Sequence, residues 1–548
     1  MKSQRVKILL SLTILTTLSL LTLVVLFNKD LTAITKQPQE AVKDTQSWQG
    51  LQVSQQPSES KTVVYIKDFG AIGDGIQNDT SAIQKAIDDV YNAGRGVVIF
   101  PSGTYKVTIN PNTAQAITIR PKVTLQGTSN KKSVIKLADR QGNYNSILAG
   151  ERPDSDLSDF AMYDLAIDGN GSNNPVNTES DLNTHKMRYA LRIYIGSRIR
   201  IERCSFTNQN NTNTISLNGE ISDVVINNNL FELIGGGNVD YDHSTIYTHN
   251  HTRGKQIEIV KNSFSSRNGA GTNGARTAIE IHGDEHIVKD NIITGFTNGI
   301  NVTGYSKSGS SNNLIITGNV IKAAYTGITI WSYFSPGNTT NPAISNSTIA
   351  NNTISLNIDG WRSLWGDTSS AGIGLEPNSD APIKNLSILN NEISVTNFSG
   401  NGSARDNLAG GIRLWRNAFP HVEIENLRIE GNKITNLLAS GIYISQPINQ
   451  GEISQNTIVN PGQSNGNFHD NYRTGIIIDG AFNNVNINKN FLIDTQTNNT
   501  MKWGILSSAN CTGKCKIYEN KIQINAKNNL KTFRQIDVRN NENFEISN

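Results

Sequence analysis

INNNLF (residues 226–231), IVKNSF (259–264) and VKDNII (288–293) are one phrase, apolar-x-x-Asn-x-apolar. The chain repeats it as ITGNVI, IANNTI, ILNNEI, IEGNKI, ISQNTI, INKNFL and IYENKI (517–522). The shared asparagines are Asn229, Asn262, Asn291, Asn319, Asn352, Asn391, Asn432, Asn456, Asn490 and Asn520. Their closest spacing is 24 residues, from Asn432 to Asn456, about one coil of a solenoid, and wider spacings add loops to the coil. Alternating apolar residues predict buried strands beside the phrase. An asparagine tolerates the left-handed backbone that a sharp turn between strands needs. Stacked turns one strand spacing apart, ~4.8 Å, bring the amides into register as a ladder. Cys204, in IERCSF, holds the same position one coil earlier.

A second phrase, Gly-Ile-x-apolar-x, precedes each asparagine. It reads AIEIH (278–282), GINVT, GITIW, GIGLE, GIRLW, GIYIS and GIIID, with ALRIY (190–194), TISLN and TIYTH as earlier variants. Each coil therefore has at least two strands, and no helical segment of a dozen residues separates them. The predicted fold is all-β, a single-stranded parallel β-helix. At its entrance, Ile83, Ala86, Ile87 and Val90 fall on one face of a helix begun by Asp79, Thr80 or Ser81 and ended by Gly94. This amphipathic helix is expected to cap the first coil, whose end otherwise exposes apolar surface and an unpaired strand.

A solenoid of 548 residues need not split into domains, because each coil contacts only its neighbours. Lys+Arg 49 against Asp+Glu 46 gives a net charge of +3, and no basic cluster marks the repeats, which argues against nucleic acid as partner. The N-terminus differs: Lys2, Arg5 and Lys7 precede an uncharged run over 8–27, long enough as a helix to cross a bilayer. Residues 1–28 read as a signal peptide or a transmembrane anchor, and the positive flank sends the rest of the chain outward in either case. Residues 29–60 are polar and aperiodic and read as a flexible tether. Residues 61–548 form the expected β-helix domain, with a cap over 61–105 and coils over 106–548. The expected location is extracellular or at the cell envelope, with membrane contact only through the N-terminal segment. Cys511 and Cys515 are close enough to form a disulfide, with two free thiols as the alternative. The repeats carry no signal for a particular oligomeric state.

DFGAIGDG…NDTSAIQKAI…GVVIFPSGTY, within 64–105, resembles the opening signature of the pectate-lyase-like right-handed β-helix superfamily. That group includes rhamnogalacturonases, glycoside hydrolases of family 28, epimerase-like proteins and phage tailspikes. FAMYDLAIDGNG (160–171) is similar to an early coil of the group. The resemblance implies a right-handed coil and a carbohydrate context. It does not fix the reaction, since members hydrolyse, eliminate, epimerise or only bind. The polygalacturonase residues, the Tyr-Gly-Phe-Asp-Pro-His motif of mannuronan epimerases and calcium nonapeptide repeats are all absent, so no catalytic residue is carried over.

With the repeats aligned, the outward positions of the Gly-Ile strands make two columns. The first runs Arg192, Ser216, Tyr247, Glu280, Asn301, Thr329, Gly374, Arg413, Tyr443, Ile477. The second runs Tyr194, Asn218, His249, His282, Thr303, Trp331, Glu376, Trp415, Ser445, Asp479. Two centres follow. The catalytic candidates are Glu280, His282, Asp242, His249 and Tyr247. Glu280 with Asp242 or Asp240 supplies the two carboxyl groups that glycoside hydrolysis wants. His249, His282, Tyr247 and Arg276 supply instead a base and carboxylate-neutralising donors for elimination. Trp331, Glu376, Arg413, Trp415 and Tyr443 form the candidate substrate-binding row, with flat aromatic faces for sugar rings. The insertion over 357–370 can wall it, and Asp359 or Asp367 make it a rival centre. The expected partner is a polysaccharide. The expected activity is that of a polysaccharide-degrading glycoside hydrolase, with a lyase or epimerase as one alternative and a non-catalytic glycan-binding surface protein as another. No cofactor is expected, and a divalent metal between His249 and His282 is the alternative.

Overall fold

The computed structural model describes residues 62–539 apart from 143, 176–187, 211, 236–243, 249–253, 267–275, 307–308, 335–340, 358–369, 377–379, 398–408, 416–422, 465–469, 497–499, 508–510, 524–529 and 532–536. The N-terminal segment and the tether expected over 1–60 lie outside them, as do Asp242 and His249. No helix among the described residues is long and apolar enough to cross a membrane.

The chain winds into three parallel sheets, of 17, 15 and 14 strands among the described residues. Each coil contributes three strands, one more than the minimum the repeats required. In one coil these are Thr277–Ile281 in the third sheet, Ile287–Lys289 in the first and Ile292–Thr294 in the second. The asparagine phrase joins the first sheet to the second.

The ladder runs unbroken from Asn229 to Asn520. Asn229 Nδ2 donates to Asn262 Oδ1 at 3.0 Å and to the Ile201 carbonyl at 2.8 Å, while Asn229 N donates to the same Oδ1 at 2.9 Å. Every later link repeats this pattern, with amide-to-amide distances of 2.9–3.0 Å. Each interior amide thus uses both donors and both acceptor positions, which is what lets so polar a group be fully buried. Cys204 begins the column, its N–H donating to Asn229 Oδ1 at 2.8 Å. The left-handed residue of the turn is not the ladder asparagine but the one before it. Arg203, Asn228, Lys261, Asp290, Gly318, Asn351, Asn390, Gly431, Gln455, Lys489 and Glu519 all have positive φ. That residue turns the chain, and the asparagine is freed to aim its amide along the stack.

The Gly-Ile glycines mark a tight corner between the second and third sheets. A Cβ on Gly372 would lie 2.3 Å from Ile393 Cγ2, and one on Gly411 would lie 2.5 Å from both Ile434 Cγ2 and the Gly441 carbonyl oxygen. Inside the early coils Phe206, Phe231 and Phe264 stack with centroids 5.1 and 4.6 Å apart. The capping helix spans Thr80–Asn92 and buries Ile83, Ala86, Ile87 and Val90. Asp79 precedes it but makes no side-chain cap. Its carboxylate instead accepts from the N–H groups of Ile72 and Gly73, at 2.7 and 3.1 Å. The Gln84 amide closes the free edge of strand Gln115–Thr118: its Oε1 accepts from Thr118 N at 2.8 Å and its Nε2 donates to Thr118 O at 3.1 Å. Cys511 and Cys515 are disulfide-bonded, and Cys204 is a buried free thiol.

Replacing an interior ladder residue orphans groups in two coils. Asn352→Ala strips partners from Asn319 N, Asn319 Nδ2, the Ile316 carbonyl and Asn391 Oδ1. It is expected to destabilise the domain by ~3 kcal/mol or more, against ~1 kcal/mol for Cys204→Ala, which leaves the backbone bond to Asn229 in place. Thermal unfolding midpoints of the two variants check this; equal shifts would remove the ladder as a principal stabiliser.

Candidate functional site

The third sheet differs from the other two. First-sheet strands such as Gly96–Phe100 alternate buried and half-buried positions, whereas third-sheet strands such as Thr277–Ile281 and Gly410–Leu414 are buried at every position. Much of its outward face is therefore shielded from water, with Arg192, Tyr247, Trp331 and Trp415 half-buried, which the alternation in sequence did not predict. The first column keeps its expected order, with Tyr247 beside Glu280, Glu280 beside Asn301, Asn301 beside Thr329, Thr329 beside Gly374, Gly374 beside Arg413 and Arg413 beside Tyr443. In the second column Thr303 pairs with Trp331.

Glu280 lies on strand Thr277–Ile281 and His282 directly follows its end, two residues on, so the alternation of the strand carries both side chains to the outward face. Their contact is direct: His282 Nε2 lies 3.1 Å from Glu280 Oε1. Ser244 Oγ donates to Glu280 Oε2 at 2.6 Å. Burial opposes ionisation of Glu280, but the hydrogen bond from His282, the positive charge of that ring when it is protonated, the Ser244 hydroxyl and the charge of Arg276 outweigh it and hold the carboxyl below its usual range. When the ring is neutral, an ionised Glu280 places its one proton on Nε2, which leaves Nδ1 as the proton-accepting nitrogen. His282 Nδ1 is buried and has no hydrogen-bond partner. The backbone of His282 is clamped by Thr248, whose hydroxyl accepts from His282 N at 2.6 Å and lies 3.0 Å from its carbonyl oxygen. The Tyr247 ring meets the imidazole edge-on, with centroids 5.5 Å apart. Tyr247, Glu280 and His282 are thus brought together as the sequence suggested. Asp242 and His249 are outside the described residues, so the second carboxylate of the hydrolytic reading and the second histidine of the metal reading have no described position. Among the described residues no group of three or more His, Cys, Asp or Glu side chains is placed to hold a metal.

His286 belongs to the same histidine-rich stretch but does something else. Its Nε2 lies 2.7 Å from the His282 carbonyl and its Nδ1 accepts from Ile257 N at 3.3 Å, so the ring is neutral and both nitrogens are engaged. Burial pulls its pKa down to about 4.

The second centre assembles in two parts. Arg413 lies over the rings of Trp415 and Tyr443, at 4.1 and 5.6 Å. Burial lowers its pKa to about 10, so it remains a cation at neutral pH. Tyr443, Ile477 and Leu506 continue as an apolar patch flanked by Trp415, Tyr472 and Trp503. Glu376 is buried, and its N–H donates to the Ile330 carbonyl at 2.8 Å, which sets it beside Trp331. Trp331 contacts Tyr333, and Tyr333 stacks on Tyr305 with centroids 5.4 Å apart. Burial, followed by the charge of Glu376 and smaller effects from Tyr305, Asp380 and Glu280, pushes the Tyr333 hydroxyl above its usual range. Tyr333 therefore lies within electrostatic reach of both carboxylates, which are three coils apart along the face (~14 Å). Sequence reasoning missed Ser244, Thr248, Tyr305 and Tyr333. The two tyrosines had a signal in GINVTGY and GITIWSY, which continue in register beyond the Gly-Ile phrase; the two hydroxyls had none.

Residues 63–355, more than half of the 548-residue chain, match the rhamnogalacturonase A/epimerase, pectate lyase-like family. Mannuronan C5-epimerase AlgE5 of Azotobacter vinelandii is 39% identical over 109 residues, which are 20% of this chain and 11% of that protein. Alginate lyase 7 of the same organism is 38% identical over 109 residues, 20% of this chain and 13% of that one. The chain thus spans only a small part of the curated relatives it matches. The tailspike protein of E. coli bacteriophage HK620, solved in complex with pentasaccharide, superposes with a TM-score of 0.62 at 16% identity over 88% of this chain and 80% of its own. At that identity the likeness is one of fold.

The depressed His286 pKa has a measurable consequence. A histidine that binds its proton less readily when folded contributes fully above the unfolded value near 6.5, and that contribution is lost as pH falls toward about 4. Stability is expected to drop by up to ~3 kcal/mol across this window. In His286→Gln, which cannot take up the proton, the drop should be shallower; unfolding midpoints from pH 7 to pH 4 compare the two.

Proposed function

This chain belongs to the rhamnogalacturonase A/epimerase, pectate lyase-like family, and we propose that it is an exported enzyme that removes the C5 proton of a uronic acid residue in an acidic polysaccharide. The observation that carries this reading is the dyad. Glu280 holds the Nε2 proton of His282, and His282 Nδ1, buried and unpartnered, is left as the base. The relatives named mannuronan C5-epimerase and alginate lyase support the same class of chemistry.

In the proposed step the C5–H bond breaks and its proton passes to His282 Nδ1. The electron pair is delocalised into the sugar carboxylate, whose charge is stabilised by the nearby cation Arg276. Collapse of that intermediate forms the C4–C5 double bond and expels the glycosidic oxygen at C4, which takes a proton from the Tyr247 hydroxyl; this is elimination. Return of a proton to the opposite face of C5 is epimerisation. Hydrolysis draws less support from the site: a general acid must be protonated at working pH, and Glu280 is held on the ionised side. The row from Trp331 to Tyr443 is the proposed bed for the rest of the polymer, which reaches it along the outer face of the third sheet.

Incubation of the protein with mannuronan, polygalacturonate and neutral polysaccharides tests the reading. Ultraviolet absorbance of an unsaturated uronate, or solvent deuterium entering C5 without chain cleavage, is the expected result. New reducing ends without either signal would establish hydrolysis and overturn it. His282→Ala should lower kcat by roughly 10²–10⁴-fold and Glu280→Gln by a smaller factor, since Glu280 acts by orienting the base.

A further inference from the structure

On the outward face immediately C-terminal to the dyad, three more polar atoms among the described residues are buried without a hydrogen-bond partner: Asn301 Oδ1, Thr329 Oγ1 and Trp331 Nε1. They are neighbours. Asn301 pairs with Glu280 on one side and Thr329 on the other, and Trp331 lies two residues beyond Thr329 on the same outward face. With His282 Nδ1 they make a contiguous run over three coils, ~10 Å long. Buried polar groups left unsatisfied cost free energy, and one such group is an accident where four on one shielded face are not. The Asn301 amide donates from Nδ2 to Thr277 Oγ1 at 3.3 Å, and in that orientation its Oδ1 is the outward acceptor.

The next position in the column is Gly374. A Cβ placed there would meet Ala371 Cβ at 3.2 Å and nothing else closer than the Arg413 carbonyl oxygen at 3.8 Å. Its φ is not positive, so the backbone does not require glycine. The absent side chain opens a notch in the shielded face between Thr329 and Arg413.

We propose that Asn301, Thr329 and Trp331 form the floor of a sugar subsite immediately beside the dyad, with the ring seated against the notch at Gly374. The subsite reads hydroxyl groups of one pyranose residue of the polymer: Asn301 Oδ1 accepts from one, Trp331 Nε1 donates to another, and the Thr329 hydroxyl does either. It is a neutral recognition site, distinct from the cation Arg276 that serves the sugar carboxylate at the dyad. It positions the residue next to the one that loses its proton and so sets which bond of the chain is presented to His282. The inference rests on the reading of the dyad as the reactive centre, but the interaction it names is binding.

Binding is therefore measured where chemistry is off. Dimer-to-hexamer oligomannuronates are titrated calorimetrically into the full-length His282→Gln protein, with tryptophan emission followed in parallel. The same titration is run after adding Asn301→Ala with Thr329→Val, and separately after adding Gly374→Leu. The expected result is binding by the parent with a change in emission, weakened roughly tenfold or more by the polar pair and by the filled notch, with unfolding midpoints unchanged. Affinity unaltered in both variants, or no binding by the parent, overturns the subsite. Loss of the proton-abstraction reading alone leaves these affinities as they are, so the two failures are separable.

Discussion

A column of asparagine amides, each donating to the next at 2.9–3.0 Å and to a carbonyl of the neighbouring coil, holds the solenoid in register. Because every interior amide is saturated, a slip of one coil by one residue would break four hydrogen bonds at once in a buried setting, where each orphaned group is costly. The residue before each asparagine carries the left-handed turn and is exposed to no such demand, so its identity varies among Arg, Asn, Lys, Asp, Gly, Gln and Glu. Turning and registering are split between adjacent residues. The glycines of the opposite corner add a steric limit, since any Cβ there would strike an isoleucine or the backbone of the next coil.

Everything at the site follows from that register. Tyr247, Glu280, Asn301 and Thr329 are far apart in the chain and consecutive in space only because the coils do not slip. The shielded outer face of the third sheet then changes what each side chain is. His282 and His286 are four residues apart in one strand-and-turn segment, yet one presents an unpartnered nitrogen and the other spends both on the backbone. Glu280, buried, stays ionised because His282, Ser244 and Arg276 outweigh desolvation. Arg413, also buried, is held by aromatic faces.

The fold was legible because its signal is repeated. A single apolar-x-x-Asn-x-apolar phrase means little, and ten in one chain specify stacked coils and their alignment. The same alignment correctly ordered the outward column from Arg192 to Ile477, since in-register parallel strands preserve sequence position from coil to coil. The disulfide between Cys511 and Cys515 was one of two readings, and the structure forms it. What periodicity misassigned was exposure. Alternation says which face of a strand a residue takes, and Glu280 does face away from the core, but it says nothing of whether that face meets water.

The sequence by itself determined the β-helix, its capping helix, the ladder and the set of residues that share the third sheet's outer face, because these depend on local period and on repetition. Only the tertiary structure decided that Ser244 and His282 converge on Glu280, that Thr248 clamps the His282 backbone, that His286 is structural, and that Asn301, Thr329 and Trp331 are left with buried, unpartnered atoms. Those outcomes depend on side-chain direction and enclosure across coils, on distances near 3 Å between residues 24 to 36 positions apart. No pattern along one strand encodes them.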